Sequence, residues 1–325
     1  MRWPAPAKLN LFLRVTGRRT DGRHDLQTVF QLLDFGDEVE IAARRDGRIV
    51  LEDPPPGLDE EDELSVRAAH LLRARTSARP GATIRLDKRI PQGAGLGGGS
   101  SDAATTLVAL NRIWGTGLDE HRLADLGLEL GADVPVFVHG RSGWAEGVGE
   151  RIRAMPLPLR WYLVVHPRIP VSTAAVFAEP GLTRDSPPLK MPRRSTDEPV
   201  DIDALLAAAG NDCEPVVRRR YPAVDAALEW LLEHVDGPDQ ARMTGTGSAV
   251  FGVFRTEGSA RRALREMPEE WDGWVARGIA NSPLRGARGR PPAGGAKGFG
   301  GSVPGVACGS VATGGAGSSW GVAKR

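Results

Sequence analysis

The sequence predicts an α+β protein of two domains, and three observations carry that prediction. The chain has 325 residues, 41% hydrophobic and 26% charged, enough to bury a core in each of two domains. A glycine-rich loop at 91–101 runs without a break into a helical pattern. In the second half the order helix, strand, strand, helix, strand is the rhythm of a ferredoxin-like half. Pro156 and Pro158, just before the buried-looking run 161–166, mark the boundary. Domains are therefore expected at 1–155 and 156–285, with 286–325 as a tail.

The first domain opens with strand-like alternation over 5–15, and further strands are expected at 38–43, 48–51 and 83–86. Helices fit 63–76, 101–114 and 120–130. In the middle one Ala103, Leu107, Leu110 and Trp114 share an apolar face. Residues 54–62, with three prolines and four acids, read as a surface loop. In the second domain 161–166 is a buried strand and 180–199 an irregular, proline-rich connection. A helix follows at 223–235, then strands at 240–244 and 249–254 around Gly245-Thr246-Gly247, a helix at 259–267 and a strand at 274–279. The apolar pattern closes at Leu284. The glycine-rich tail beyond it cannot bury enough surface to offset ordering entropy and is expected to be disordered.

Charge and composition exclude several function classes. The net charge is +1. Residues 286–325 hold five basic and no acidic residues, so residues 1–285 carry 37 basic against 41 acidic, net −4. That balance argues against nucleic acid as a partner. No apolar run reaches membrane-spanning length and Met1-Arg2-Trp3-Pro4 opens no signal peptide, so no membrane partner and a cytoplasmic location are expected. Two cysteines, Cys213 and Cys308, and six scattered histidines offer neither a disulfide framework nor a zinc site.

The chemistry concentrates in Pro91-Gln92-Gly93-Ala94-Gly95-Leu96-Gly97-Gly98-Gly99-Ser100-Ser101, five glycines in eleven positions. Bare backbone there lets N–H groups approach an anion, and the helix that follows adds a favourable dipole. A Walker loop is excluded, because no lysine lies in the stretch. Gly93, Gly95 and Gly98 satisfy G-x-G-x-x-G, but Asp119, near the distance a dinucleotide fold requires, begins a helix instead of ending a strand. The remaining template is Pro-x-x-x-Gly-Leu-Gly followed by serines. It resembles the phosphate loop of the GHMP kinases (galactokinase, homoserine kinase, mevalonate kinase, phosphomevalonate kinase).

Two charged residues invite a second reading. Lys8 interrupts an apolar strand, either as an edge gatekeeper or as a functional cation. Asp133, before the buried run 134–137, is either a helix N-cap or a working carboxylate. Four segments in order, PAKLNLFLRVTGRRTDGRHDLQTVFQLLDFGDEVEI, PQGAGLGGGSSDAA, LGADVPVFVHG and MTGTGSAVFGVF, resemble the GHMP kinases that act on 4-diphosphocytidyl-2-C-methyl-D-erythritol. The resemblance spans residues 4–284. It implies a GHMP kinase fold, with a ribosomal-protein-S5-like N-terminal domain, a ferredoxin-like C-terminal domain and the active site between them. It also implies ATP, as Mg-ATP, phosphorylating the 2-hydroxyl of the methylerythritol moiety in non-mevalonate isoprenoid synthesis.

Carried over by position, the resemblance makes Lys8 and Asp133 the catalytic pair and residues 91–101 the ATP phosphate loop, with Ser100 or Ser101 helping the phosphates or Mg²⁺. Metal ligands are not assigned. Substrate contacts fall on Asn10, Arg23, His24, Thr173 and Phe177. Two departures stand out: Arg23 occupies the place of a tyrosine that stacks on cytosine, and Glu63 the place of an asparagine near adenine. A guanidinium plane still stacks on a base. Gly245-Thr246-Gly247 is either a tight turn alone or a second approach to the phosphates, and Phe177 either core or a base-stacking ring. Asp212, in Asn211-Asp212-Cys213-Glu214, is expected to cap a helix. Another GHMP kinase, a nucleotide-binding module without catalysis and an RNA-binding protein are the competing readings; monomer and homodimer both stay open.

Overall fold

In the computed structural model the described residues are 1–54, 62–191, 201–235, 237 and 240–288. Residues 55–61 of the expected loop, 192–199 of the connection and 289–325 of the tail lie outside them. Two long strands form the spine. β1 (Arg2–Arg18) and β2 (His24–Arg44) run antiparallel from Arg2↔Glu40 to Arg18↔His24. Register shifts between Pro6 and Lys8, between Asn10 and Leu13, and between Val15 and Gly17 interrupt the ladder. Such bulges re-aim the side chains beside them. The alternation expected over 5–15 does not appear in burial: every residue from Ala5 to Leu13 is buried. Successive strand residues point to opposite faces, so both faces of β1 are covered.

The strand expected at 38–43 is only the end of β2. Its first half pairs with β5 (Gly143–Gly147), which also pairs with β6 (Arg151–Ala154). Its second half pairs with β4 (Gly81–Asp87), which runs parallel to β3 (Ile49–Leu51). Four helices complete this half: α1 (Leu64–Thr76), α2 (Gly98–Ile113), α3 (Glu120–Leu130) and the short α4 (Val134–His139). From Ser101 to Leu110, α2 is buried all round. The single apolar face read from its sequence is therefore too narrow, because alanines and threonines let neighbours pack on its other sides.

In the other half, β7 (Trp161–His166) lies between β10 (Asp272–Ile279) and β9 (Val250–Phe254), and β9 also pairs with β8 (Ala241–Met243). Helices α5 (Thr173–Ala178), α6 (Ile202–Ala208), α7 (Glu214–Arg220), α8 (Pro222–His234) and α9 (Glu257–Glu266) belong to this half. β10 reaches β2 through Gly278↔Leu33 and Ile279↔Leu32, joining the ten strands among the described residues in one sheet. After β10 the chain returns to the first half: Ser142 N donates to Ala280 O at 3.0 Å, and Leu284 is buried in the first core. No helix among the described residues is long and apolar enough to cross a membrane.

Candidate active site

A cleft of about 690 Å³ collects residues that lie far apart in sequence. Its walls include Lys8, Asn10, Thr28 and Phe30 from the β1–β2 pair, residues 91–100 of the glycine loop, and Asp133 and Gly149. Thr173, Phe177, Gly245 and Thr246 come from the second half. Of the residues expected in the site, Ser101, Arg23 and His24 do not line this cleft.

The glycine loop is held by backbone on both sides. Gly93, Gly95 and Gly97 have φ of +63°, +74° and +76°, a region that favours glycine. Lys8 N donates to Leu96 O at 3.0 Å, Ser248 N to Gly93 O at 3.2 Å and Ala249 N to Ala94 O at 3.1 Å. A Cβ on Gly95 would collide with Thr244 O, so the two glycine turns pack backbone against backbone. Gly97 is the N-cap of α2 and offers no side-chain cap bond. The helix's first N–H groups, which no helical carbonyl takes, belong to cleft residues 98–100.

Ser100 lines the cleft, its Oγ 3.8 Å from where a Gly131 Cβ would stand. Ser101 corrects the expectation: it is fully buried, its hydroxyl donates to Pro6 O at 2.7 Å and its N–H to Gly97 O at 2.8 Å. Both donors are consumed inside the fold.

The structure brings Lys8 and Asp133 together, with Nζ 3.2 Å from Oδ2. Lys8 is 3% exposed at its side chain, so it is no edge gatekeeper. Its ammonium also donates to Asn10 Oδ1 and stands 5.5 Å from the Phe30 ring centre. Asn10 in turn donates through Nδ2 to Thr28 Oγ1 at 3.0 Å, and its backbone N–H to Thr244 Oγ1 at 2.9 Å. Both ends of the Asn10 side chain are thus engaged, and its visible role is to orient Lys8. Asp133 occupies the N-cap position of α4 but makes no side-chain cap bond. Its carboxylate is 34% exposed and faces Lys8.

A second cluster was not read from the sequence. Lys88 Nζ bonds Asp37 Oδ2 at 2.5 Å and Asp102 Oδ2. The other Asp37 oxygen accepts the N–H groups of Arg89 and Ile90, at 2.5 and 2.7 Å. The cluster ties the entry of the glycine loop to the first turns of α2. Burial pushes the Asp102 carboxyl up to about 8, against the pull of Lys88. Burial works against the Lys88 charge too, but the two carboxylates outweigh it and hold its pKa above the ordinary lysine range. Glu63 caps α1, accepting from Ser65 N at 3.1 Å, while also lining the cleft.

A second cleft of about 530 Å³ adjoins the first and shares Leu26, Ala132, Val148 and Phe177 with it. Arg18, Arg23 and His24 line it. The His24 and Phe177 rings stack on each other, centres 4.8 Å apart and 20° from parallel. Burial, then the charges of Arg184 and Arg18, lower the His24 pKa. Arg23 is exposed and its N–H donates to Asp21 Oδ1 at 2.9 Å. Thr173 Oγ1 lies 2.9 Å from Thr246 Oγ1, bridging α5 to the second glycine turn. Asp212 is not a helix cap: the N-cap of α7 is Cys213, and the Asp212 carboxylate accepts Val15 N at 2.7 Å. The 210–212 segment already pairs with the other edge of β1, Leu13 N donating to Gly210 O and Asp212 N to Leu13 O, and the Asp212 carboxylate continues that pairing at Val15.

The chain is similar to known proteins over most of its length. Residues 63–141 match the GHMP kinases N-terminal domain and residues 199–273 the GHMP kinases C-terminal domain. The 4-diphosphocytidyl-2-C-methyl-D-erythritol kinase of Halorhodospira halophila (strain DSM 244 / SL1) is 55% identical over 285 residues, 87% of this chain and 94% of its own. That of Alkalilimnicola ehrlichii (strain ATCC BAA-1101 / DSM 17681 / MLHE-1) is 56% identical over 289 residues, 87% of this chain and 93% of its own. A solved 4-(cytidine 5'-diphospho)-2C-methyl-D-erythritol kinase is 32% identical with a TM-score of 0.71, over 86% of this chain and 99% of that one. A Methanococcus jannaschii mevalonate kinase shares the fold at 17% identity and a TM-score of 0.58, over 86% and 98% of the two chains. With identity above one half along nearly the full length of such relatives, the chain belongs to the 4-diphosphocytidyl-2-C-methyl-D-erythritol kinases, within the GHMP kinases.

Proposed function

We propose that this chain transfers the γ-phosphoryl group of ATP to the 2-hydroxyl of 4-diphosphocytidyl-2-C-methyl-D-erythritol, giving the 2-phosphate, in the non-mevalonate route to isoprenoid precursors. The observation that carries the reading is the Lys8–Asp133 pair, 3.2 Å apart in the same cleft as the glycine loop, with Lys8 packed against Gly97. Phosphoryl transfer leaves the protein mainly positioning and charge stabilisation to perform. Asp133 orients the acceptor hydroxyl and takes its proton as the oxygen attacks the γ-phosphorus. An aspartate is a weak base near neutral pH, so the cation beside it matters: Lys8 stabilises the developing alkoxide and the charge on the moving phosphoryl group.

Residues 93–100 hold the triphosphate through loop N–H groups and the N-terminus of the sixteen-residue α2. Among the described residues no group of three or more His, Cys, Asp or Glu side chains could hold a metal ion. A magnesium ion that arrives on the nucleotide suits this donor set, because Mg²⁺ keeps its waters and takes few protein ligands beside phosphate oxygens. Ser100 would be the hydroxyl and Asp133 the carboxylate to join it, and the ion when bound would supply charge neutralisation on the phosphates.

His24, Phe177 and Arg23 in the adjoining cleft receive the cytidine end, with Thr173 and Asn10 toward the methylerythritol end. The base must then part or join the His24–Phe177 stack. Domain limits of 1–155 and 156–285 fit the two family matches, although residues 280–285 pack on the first half. A cytoplasmic location suits Cys213, a buried thiol whose pKa burial pushes up to about 12. The test is an ATP-dependent phosphorylation assay on a panel of alcohols. Turnover of 4-diphosphocytidyl-2-C-methyl-D-erythritol is expected; homoserine or mevalonate accepted in its place would overturn the assignment.

A further inference from the structure

The Asn211-Asp212-Cys213-Glu214 motif has no part in the cleft lining, yet its polar groups are committed with short bonds to the segments that build it. Asn211 is buried, and its side-chain amide donates to Met243 O and to Gly245 O, both at 2.8 Å. Its Oδ1 accepts Cys213 N at 2.9 Å. Glu214 Oε2 accepts Met243 N at 2.8 Å. Asp212, by contrast, reaches only β1, at Val15 N.

We propose that Asn211 is a positioning residue for the nucleotide: from outside the cleft it holds the 244–248 turn in the one conformation that supports the phosphate loop. The inference rests on ATP being the ligand of that loop. Its physical basis is the freedom of the turn. Gly245 has φ +58° and Gly247 φ +81°, and glycine peptides rotate at little steric cost. No side chain at either position can hold the turn, so the hydrogen bonds must. The C=O of Gly245 and the N–H of Thr246 belong to one planar trans peptide and point opposite ways. Holding that carbonyl from Asn211 aims the Thr246 N–H away from Asn211, and Thr246 lines the cleft.

The same turn supports the phosphate loop directly. A Gly245 Cβ would stand 3.2 Å from Gly95 O and 3.2 Å from Asn10 Oδ1. Thr244 Oγ1 accepts Asn10 N, Ser248 N at the end of the turn donates to Gly93 O, and Ala249 N just after it donates to Ala94 O. A turn released from Asn211 therefore loosens the loop that holds the phosphates.

The experiment measures ATP binding to the full chain by titration calorimetry, with unfolding midpoints alongside. Asn211→Asp keeps the size and the acceptor for Cys213 N but loses both donors. It is expected to weaken ATP binding by about tenfold or more. Asp212→Ala, which removes a bond to β1 and leaves the turn held, is expected to lower the unfolding midpoint comparably while ATP binding stays within about twofold. Unchanged ATP affinity in Asn211→Asp overturns the proposal, and so does equal weakening in Asp212→Ala, which would make the motif purely structural. Should Asn211→Asp not fold, Asn211→Ser keeps one donor and is expected to weaken ATP by about threefold; no change would overturn the proposal. No acceptor is present in this measurement, so a wrong acceptor assignment leaves its outcome untouched.

Discussion

Two lysine–aspartate constellations flank the start of α2, and consecutive glycines touch them. A Cβ on Gly97 would stand 3.2 Å from Lys8 Cε, and one on Gly98 3.4 Å from Asp37 Oδ2. The residue types are the same, but the solvent is not. Asp133 is 34% exposed beside Lys8, whereas Asp37 and Asp102 are 1% and 0% exposed around Lys88. Asp37 spends its oxygens on Lys88 and two backbone N–H groups. Asp133 has no cap bond and retains lone pairs for a ligand. A carboxylate open to the cleft can exchange protons with a substrate; one enclosed, as Asp37 and Asp102 are, can only hold chain segments in place.

The comparison can be broken at either pair. Asp133→Asn should lower kcat by about 10²–10⁴-fold, the usual worth of a general base, while urea unfolding shifts by less than about 1 kcal/mol. A large loss of stability with normal turnover would reverse the assignment. Lys88→Met should do the opposite. It leaves two buried carboxylates facing each other and should cost about 3–5 kcal/mol of stability, read from the denaturation midpoint, with turnover of the folded fraction within about threefold.

The buried cluster also carries a pH signature. The Asp102 carboxyl lies above its unfolded value, at about 8, so the unfolded chain releases its proton first as pH rises. Stability from this group is fully present below the unfolded aspartate value of about 3.9 and is lost as pH rises through about 8. Asp102→Asn should flatten that decline, seen in urea midpoints taken across the window; an unaltered slope would place the titration elsewhere. The smallest effect sharpens the boundary between the pairs. Gly97→Ala combines φ +76° with a Cβ 2.8 Å from Phe137 Cζ and should cost about 1–3 kcal/mol, together with ATP affinity. Gly98→Ala has no positive φ and should cost less; equal losses would mean that contact, not backbone conformation, governs the loop.

Some of this was legible in the chain. The glycine loop is readable because glycine spacing is local, and the absence of a lysine removes the Walker template. α3 and β7 fall on the residues their periodicity predicts. Lys8 was ambiguous, since a lone lysine in an apolar strand looks the same at an edge and beneath a cleft. β5 and the first half of β2 are hard to read because covered sheets lose the alternation that marks strands, and β6, four residues with none buried, is too short to show a pattern. Lys88 sat in Asp87-Lys88-Arg89, a charged run that reads as surface until Asp37 and Asp102 close over it.

The sequence by itself determined the glycine loop, the order of most elements and the resemblance that names the chemistry, since each depends on neighbours a few residues apart. Only the tertiary structure decided which charges face the cleft and which are enclosed. It showed that Ser101 is spent inside the fold, that Asn10 orients Lys8, and that Asn211 grips a turn more than thirty residues away. Those outcomes depend on burial and on which donors each carboxylate or amide meets, and chain folding sets both across separations that no local pattern records.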